Sequence, residues 1–433
     1  MRNTPSMEGR VLLLQEPGFR WLLLGSSVSL LGDQFTLLAL PWLVLSLTKD
    51  TLILGLVLAF AGVPRVILIL FGGALTDRYS PKRVLMATKC VNTVLLGLFA
   101  ILVVMGALRF WMVYGFAIGI GLASAFSFPS GSAICSQVVE SKRLQTANSI
   151  LMSMRQISML AGPLLAGLLV AFFGGGGTNH PSGEKGLGLA FAFDAFSFAF
   201  SAWTLTKVPV NSVENSHPGP SGKPVLHAIM GGLRHFWKDK SLRAFCLFAG
   251  AVNFFISGPL QVGLPVLASA YLGHSASTFG AWMSFYGTGT LAGMAISGAL
   301  PESGEGQLGM MALLINGLTG LLLLPIGLVR APWQCSILLG VIGLLGGFIK
   351  TAFFTWIQRR VPLEMLGRAM SLFMFIYMGL TPVSAAMTGW LMRGVNVSRF
   401  FTLCGWSLIG IVITGWVTPN LRDISADGTQ RDT

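Results

Sequence analysis

Residues 51–107 read TLILGLVLAFAGVPRVILILFGGALTDRYSPKRVLMATKCVNTVLLGLFAILVVMGA. Two apolar runs, 52–74 and 84–107, flank one short loop that carries Asp77, Arg78, Lys82 and Arg83. Each run has the ~20 residues a helix needs to cross a bilayer's hydrocarbon core. Neither run alternates apolar with polar residues, which argues against a membrane β-barrel.

The same pattern extends along the chain. Apolar stretches of spanning length fall at 20–46, 52–74, 84–107, 110–136, 147–173, 187–206, 243–270, 278–300, 308–329, 333–357, 368–392 and 397–418. Twelve such helices would use about 240 residues, roughly 55% of the chain. The hydrophobic fraction is 53%, and only 10% of the 433 residues are charged. Soluble globular chains are about 25% charged. This composition excludes a soluble enzyme, a disordered chain and a nucleic-acid binder. The expectation is an all-α membrane protein of twelve transmembrane helices. The 54 glycines suit closely packed membrane helices. Pro41, Pro64, Pro129, Pro163, Pro259, Pro265, Pro325 and Pro382 lie in or near spans, where proline kinks a helix or shapes its packing. The first apolar run merges into a full-length span, so no cleavable signal peptide is expected.

The net charge of +13 arises from 29 Lys and Arg against 16 Asp and Glu. An even number of spans puts both ends on one side. With the N-terminus in the cytoplasm, 19 cations fall on the inner face and 6 on the outer face. That asymmetry is the positive-inside pattern. It accounts for the basic balance without a polyanionic partner. The expected location is the cytoplasmic membrane, multi-pass, with both termini cytoplasmic.

The longest polar break divides the chain. Residues 1–206 form a first six-helix bundle and residues 242–433 a second, with a short tail. Residues 207–241 form a linker whose later part, from Val225 to Phe245, reads as an interfacial amphipathic helix. The halves look related. Leu144, Ala147, Ser149 and Gly167 match Leu366, Ala369, Ser371 and Gly389 at a constant offset of 222. Leu40-Pro41 matches Leu264-Pro265 at an offset of 224. The pattern favours a duplicated six-helix unit, hence two pseudo-symmetric bundles.

Two motifs sharpen this. Gly73, Asp77, Arg78 and Lys82 fall at the spacing G-x-x-x-D-R-x-G-R-K, with Ser80 and Pro81 departing from it and Arg83 following. Ser158, Gly162, Pro163 and Gly167 in the fifth span follow G-x-x-x-G-P-x-x-G-G, with Ser158 and Ala166 as small substitutes for glycine. The first motif resembles the loop signature of the major facilitator superfamily, and the second resembles its antiporter motif. The chain also resembles the superfamily's transmembrane secretion effector branch, which includes enterobactin exporters and macrolide efflux proteins. The stretches that carry this are Gly32-Asp33-Gln34-Phe35 leading to Leu40-Pro41-Trp42, then Pro64-Arg65, and Leu366-Gly367-Arg368-Ala369-Met370-Ser371.

The resemblance implies a loop that latches one state of an alternating-access cycle. It implies that the fifth-span motif belongs to an exporter. Two departures stand out. The fourth span from Tyr114 to Gly121 lacks the arginine that drug/proton antiporters often carry there. The second-half loop, Gly298 to Gly306, has Glu302 and Glu305 but no cation.

Few charges lie at span depth. The carboxylates are Asp33 and Asp194, and the cations are Arg65, Arg155 and Lys350, with Lys89 nearer a helix end. Each costs about 2.5–3.5 kcal/mol at a span centre, so such residues face a cavity or a partner. Asp33, Arg65 and Asp194 are the proton-coupling candidates. Asp33 and Arg65 share a depth, which also fits a static ion pair. Asp194 also fits a cation-binding or a helix-packing role. The cavity candidates are Gln34, Arg155, Gln156, Asn253, Gln261, Tyr286 and Lys350; the competing role is core packing for Asn253, Gln261 and Tyr286, the cytoplasmic vestibule for Arg155 and Gln156, and reaching the interface for Lys350.

No GxxxxGK[ST] loop supports ATP drive. The five histidines show no metal-ligand spacing, and no G-x-S-x-G elbow is present. The five cysteines lie in apolar runs and read as small core residues. The expectation is therefore a monomeric transporter, not an enzyme. It would have no metal or cofactor and would use the proton gradient to export an amphiphilic small molecule such as a drug, macrolide or siderophore. The alternatives are an uptake symporter, a lysophospholipid transporter, and a non-transporting scaffold or sensor.

Overall fold

The computed structural model describes residues 13–78, 80–173, 182–209, 240–271, 276–300, 307–361 and 363–418. Among them no strand occurs. The first six spans are α1 (Pro17–Thr48), α2 (Thr51–Arg78), α3 (Pro81–Val104), α4 (Phe110–Val138), α5 (Leu144–Phe173) and α6 (Ser182–Thr206). The seventh is broken into α7 (Lys240–Gly258) and α8 (Leu264–Tyr271), joined by a π turn, Pro259–Gly263. Then follow α9 (Ala276–Ala299), α10 (Gln307–Leu323), α11 (Pro332–Arg360), α12 (Leu363–Gly394) and α13 (Val397–Val417).

Every span expected from the sequence coincides with a helix or, for the seventh, a helix pair. Most helices outrun their apolar runs, as α12 does by starting at Leu363. The apolar run measures only the hydrocarbon layer, and a helix continues into the headgroup region. Among the described residues eleven spans, with the α7–α8 pair as one, are long and apolar enough to cross a membrane. The remaining span, α9, is 24 residues long and rich in Gly, Ser and Thr, which lowers its hydropathy. The expected interfacial segment mostly lies outside the described residues. Its last residues, Lys240 to Phe245, are the first turns of α7 instead.

Local chemistry sets the joints. The end of α3 is closed by Gly106, at φ 63°. The Gly106 N–H donates to Val103 O at 3.1 Å and the Ala107 N–H to Leu102 O at 3.0 Å. This is a Schellman closure, which needs the left-handed conformation glycine adopts without strain. In the seventh span Pro265 has no N–H to give the carbonyl four residues back, and its ring crowds that carbonyl. The helix widens there, and Leu264 N–H bonds Pro259 O.

The described residues fall into two compact units. The first draws on Met1–Thr48, Phe60–Ser221 and Ser275–Gly280, the second on Lys49–Ala59, Gly222–His274 and Ala281–Thr433.

In the first unit α6 packs against α1 and α3. Aromatic pairs fill these seams: Phe35 with Phe193 at 4.4 Å, Phe99 with Phe191 at 4.7 Å, and Trp21 edge-on to Trp203 at 5.5 Å. Phe196 is 61% exposed and reads as lipid-facing. The start of α9 also belongs to this unit and crosses α5 at the fifth-span motif. A Cβ on Gly167 would lie 2.9 Å from Ala276 O and 3.2 Å from Gly280 Cα. One on Gly280 would overlap Pro163 O. Only glycine lets these backbones come so close.

The second unit repeats that crossing with the start of α2 on α12. A Cβ on Gly55 would lie 2.5 Å from Ala385 O and 3.1 Å from Gly389 Cα. Thr51 Oγ1 donates to Gly389 O at 2.8 Å. Gly167 and Gly389 are the residues matched at the offset of 222, so the duplicated sequence places glycine at equivalent crossings. Elsewhere in this unit, Gly289 and Gly293 of α9 face the α11 backbone, while Gly343 and Gly347 of α11 face the α9 backbone. Each pair has the G-x-x-x-G spacing of close membrane-helix contact.

An ion pair caps the α2–α12 crossing. Asp50 Oδ1 accepts from Leu52 N–H at 2.9 Å, capping α2, and from Arg393 Nε at 2.9 Å; Oδ2 accepts from Arg393 Nη2. The forked guanidinium holds the Asp50 carboxyl below its ordinary range, with smaller help from the backbone N–H groups. A depressed folded-state value adds stability that is complete above the unfolded value, about pH 4. It is lost as pH falls through the folded value. Both partners are partly exposed, so the contribution is about 0.2–1 kcal/mol. Asp50→Asn keeps the cap and removes the charge. Melting curves of the two proteins should differ slightly at pH 7 and converge in acid; a constant gap at all pH values would count against the pairing.

Candidate functional site

The site grows from one close approach. Gly32 is buried on α1, and a Cβ there would lie 2.5 Å from Asp194 Oδ1 and would overlap Ser197 Oγ. The missing side chain lets α6 bring Asp194 onto α1. Asp194 is 1% exposed. Thr36 Oγ1 donates to its Oδ2 at 2.5 Å and Ser197 Oγ to its Oδ1 at 3.1 Å. Phe191 and Phe193 precede it in sequence and pack on α3 and α1. A carboxylate in so apolar a setting is retained only with such hydrogen bonds or nearby cations.

Asp33, the next residue on α1, differs. Its side chain is exposed although it lies mid-helix. The charges acting on it are Lys89 of α3, Arg65 of α2 and Arg155 of α5, in that order. Asp194 and Asp33 also act on each other. Arg65 is thus one of three cations that act on Asp33, and Lys89 acts on it more strongly. Lys89 Nζ donates to Ser29 Oγ at 2.5 Å and sits 4.7 Å from the Phe198 ring centroid. The first unit thus gathers two carboxylates and three cations from five helices.

The other expected residues scatter. Gln34 is half-buried at the α1–α5 seam, where a Cβ on Gly162 would lie 2.5 Å from its Cβ. Ser158, Gly162, Pro163 and Gly167 are all buried along α5. Arg155 and Gln156, on the same helix, are half-buried. In the second unit Asn253 Nδ2 donates to Tyr377 O at 2.6 Å and to Thr381 Oγ1 at 3.2 Å, tying α7 to α12. Gln261 lies in the π turn. Tyr286 lies on α9, its carbonyl accepting from Thr290 Oγ1 at 2.8 Å. Lys350 is exposed on α11, its Nζ 6.0 Å from the Tyr377 ring centroid. In the loop motif, the side chains of Asp77 and Arg78 and the surroundings of Gly73 lie outside the described residues. Lys82 Nζ donates to Val208 O at 2.7 Å, just past the end of α6, and Arg83 is exposed.

Sequence reasoning set Lys89 apart because it stands only eight residues into its helix. The available signal was Asn92, a second polar residue three positions further along the same apolar run.

The likeness to known proteins follows the same lines. The chain is 26% identical over 372 residues to the enterobactin exporter EntS of Salmonella choleraesuis, covering 82% of this chain and 81% of that one. The EntS protein of Shigella flexneri is 26% identical over 385 residues, covering 82% and 80%. Among solved structures, the nucleoside transporter NupG superposes with a TM-score of 0.70 at 14% identity, over 92% of this chain and 99% of that one. A bacterial homologue of the human lysosomal transporter Spinster gives 0.69 at 12% identity, over 92% and 94%. These solved structures share the fold. The family model of the Major Facilitator Superfamily matches residues 22–386. With its all-helical spans and its duplicated glycine crossings, the chain is a multi-pass membrane transporter, not an enzyme, and belongs to the Major Facilitator Superfamily.

Proposed function

We propose that the protein exports an amphiphilic small molecule across the cytoplasmic membrane by alternating access, in exchange for protons that enter the cell. The observation that carries the reading is the pair of carboxylates at span depth with distinct surroundings. Asp33 is exposed and lies in the field of three cations. Asp194 is buried and already satisfied by two hydroxyls. An accessible carboxylate among cations can take up and release a proton as its surroundings change, and a satisfied one holds the helices around it. Asp33 is therefore the proton carrier and Asp194 its structural anchor. The export direction is supported by the fifth-span motif and by the exporters among the relatives. Those relatives suggest siderophores as the first substrates to try, and the resemblance to the secretion effector branch adds macrolides as a second class.

The test is reconstitution in acid-loaded proteoliposomes with a pH dye in the lumen. Adding a transported siderophore or macrolide outside should release protons from the lumen and accumulate the compound inside. Accumulation with no proton movement would remove proton coupling. The absence of both, across the panel and with the gradient in either direction, would remove transport by this route.

A further inference from the structure

The Lys89 ammonium occupies a defined position relative to both carboxylates. It is held by Ser29 Oγ on α1 and lies over the Phe198 ring on α6. Ser29 precedes Asp33 by four residues, and Phe198 follows Asp194 by four. Residues four apart share a helix face about one turn apart, about 6 Å along the axis. The ammonium therefore sits one turn from Asp33 on α1 and one turn from Asp194 on α6. Neighbouring spans in sequence run in opposite directions, so α1 and α6 are antiparallel, and both displacements point to the same side of the carboxylates. Its side chain is long enough to reach either carboxylate, and its anchor in this structure is a neutral hydroxyl.

We propose that Lys89 is a positioning residue for proton exchange, the tethered counter-charge that sets how readily Asp33 gives up its proton. This rests on Asp33 as the proton carrier. When Asp33 is ionised, the ammonium one turn away balances it. When Asp33 is protonated, the ammonium rests on Ser29 and faces Asp194. Arg65 and Arg155 also face Asp33, from α2 and α5, so removing Lys89 weakens the positive field without abolishing it. Its anchors on α1 and α6 keep it within about one helical turn of both carboxylates.

Proton occupancy at Asp33 can be read without transport. Dicyclohexylcarbodiimide modifies protonated carboxyl groups in apolar surroundings, and mass spectrometry locates the adduct. The purified full-length protein is labelled across pH in lipid nanodiscs. In Lys89→Gln the labelling midpoint at Asp33 should move to higher pH by about one unit or more, the effect of removing a nearby opposite charge. Lys89→Arg should keep the midpoint near that of the parent protein. Lys89→Met removes an intramembrane charge outright and serves where the glutamine variant fails to insert. A midpoint unmoved in both neutral variants, or moved equally in Lys89→Arg, would overturn the assignment. If the parent protein moves no protons with any substrate, the exchange reading fails, and the labelling still decides the role of Lys89.

Discussion

Asp33→Asn is expected to leave the transporter folded in the membrane and to reduce substrate-driven proton release to that of empty liposomes. An amide occupies the space of a carboxyl but cannot gain or lose a proton in this range. Asp33 is exposed, so the change leaves no buried acceptor unsatisfied. It also leaves Lys89, Arg65 and Arg155 without that counter-charge. Stability should therefore hold or fall slightly while coupling disappears. Asp194→Asn should do the reverse. Asp194 accepts from Thr36 and Ser197 inside the α1–α6 seam, and an amide presents donors to at least one of those hydroxyls. Disturbing such a buried pair costs about 1–3 kcal/mol. The variant should melt earlier and retain proton coupling per folded molecule. Retained exchange in Asp33→Asn, or its loss in well-folded Asp194→Asn, would exchange the two roles.

The second large effect is expected at the glycine crossings. Gly280→Leu should lower the melting point and suppress transport, because even a Cβ there overlaps the Pro163 carbonyl. Overpacking of this kind typically costs about 1–3 kcal/mol, and helix backbones give way less easily than side-chain tips. Gly55→Leu should behave alike, through Ala385 O. Gly97→Leu is the control, since nothing lies within 4 Å of a Cβ on Gly97. Equal tolerance of all three substitutions in thermal and transport assays would show that these crossings do not constrain the helices.

Much of this was legible in the amino-acid order. The spans were, because the length of an apolar run is set by the thickness of the hydrocarbon layer. The equivalence of Gly167 and Gly389 was, because duplication preserves spacing. Asp33 and Asp194 stood out because a charge in that layer is expensive. Depth alone, however, cannot give rotation about a helix axis. It brought Asp33 and Arg65 to one level, but it could not show that Lys89, entering from lower on α3, is the stronger neighbour. A lysine side chain reaches far enough to blur the meaning of its position in the chain. The pairing of Asp50 with Arg393 was hidden for another reason. The partners are 343 residues apart, and no local pattern links them. Pro265 announced a distortion, but its form as a wide turn depends on the backbone around it.

That wide turn bears on how the chain tolerates change in length. In Pro259–Gly263 the bonds span five residues instead of four. One residue is thus accommodated in excess of the regular helix, and the segment beyond keeps its contacts. The proline that ends the pattern keeps the bulge in place. A single-residue deletion inside 259–263 is therefore the shortening this span can absorb by reverting to a regular turn. The same deletion in the unbroken α13 would rotate every later residue by about 100°. The seventh span thus carries a built-in allowance for evolutionary insertion and loss.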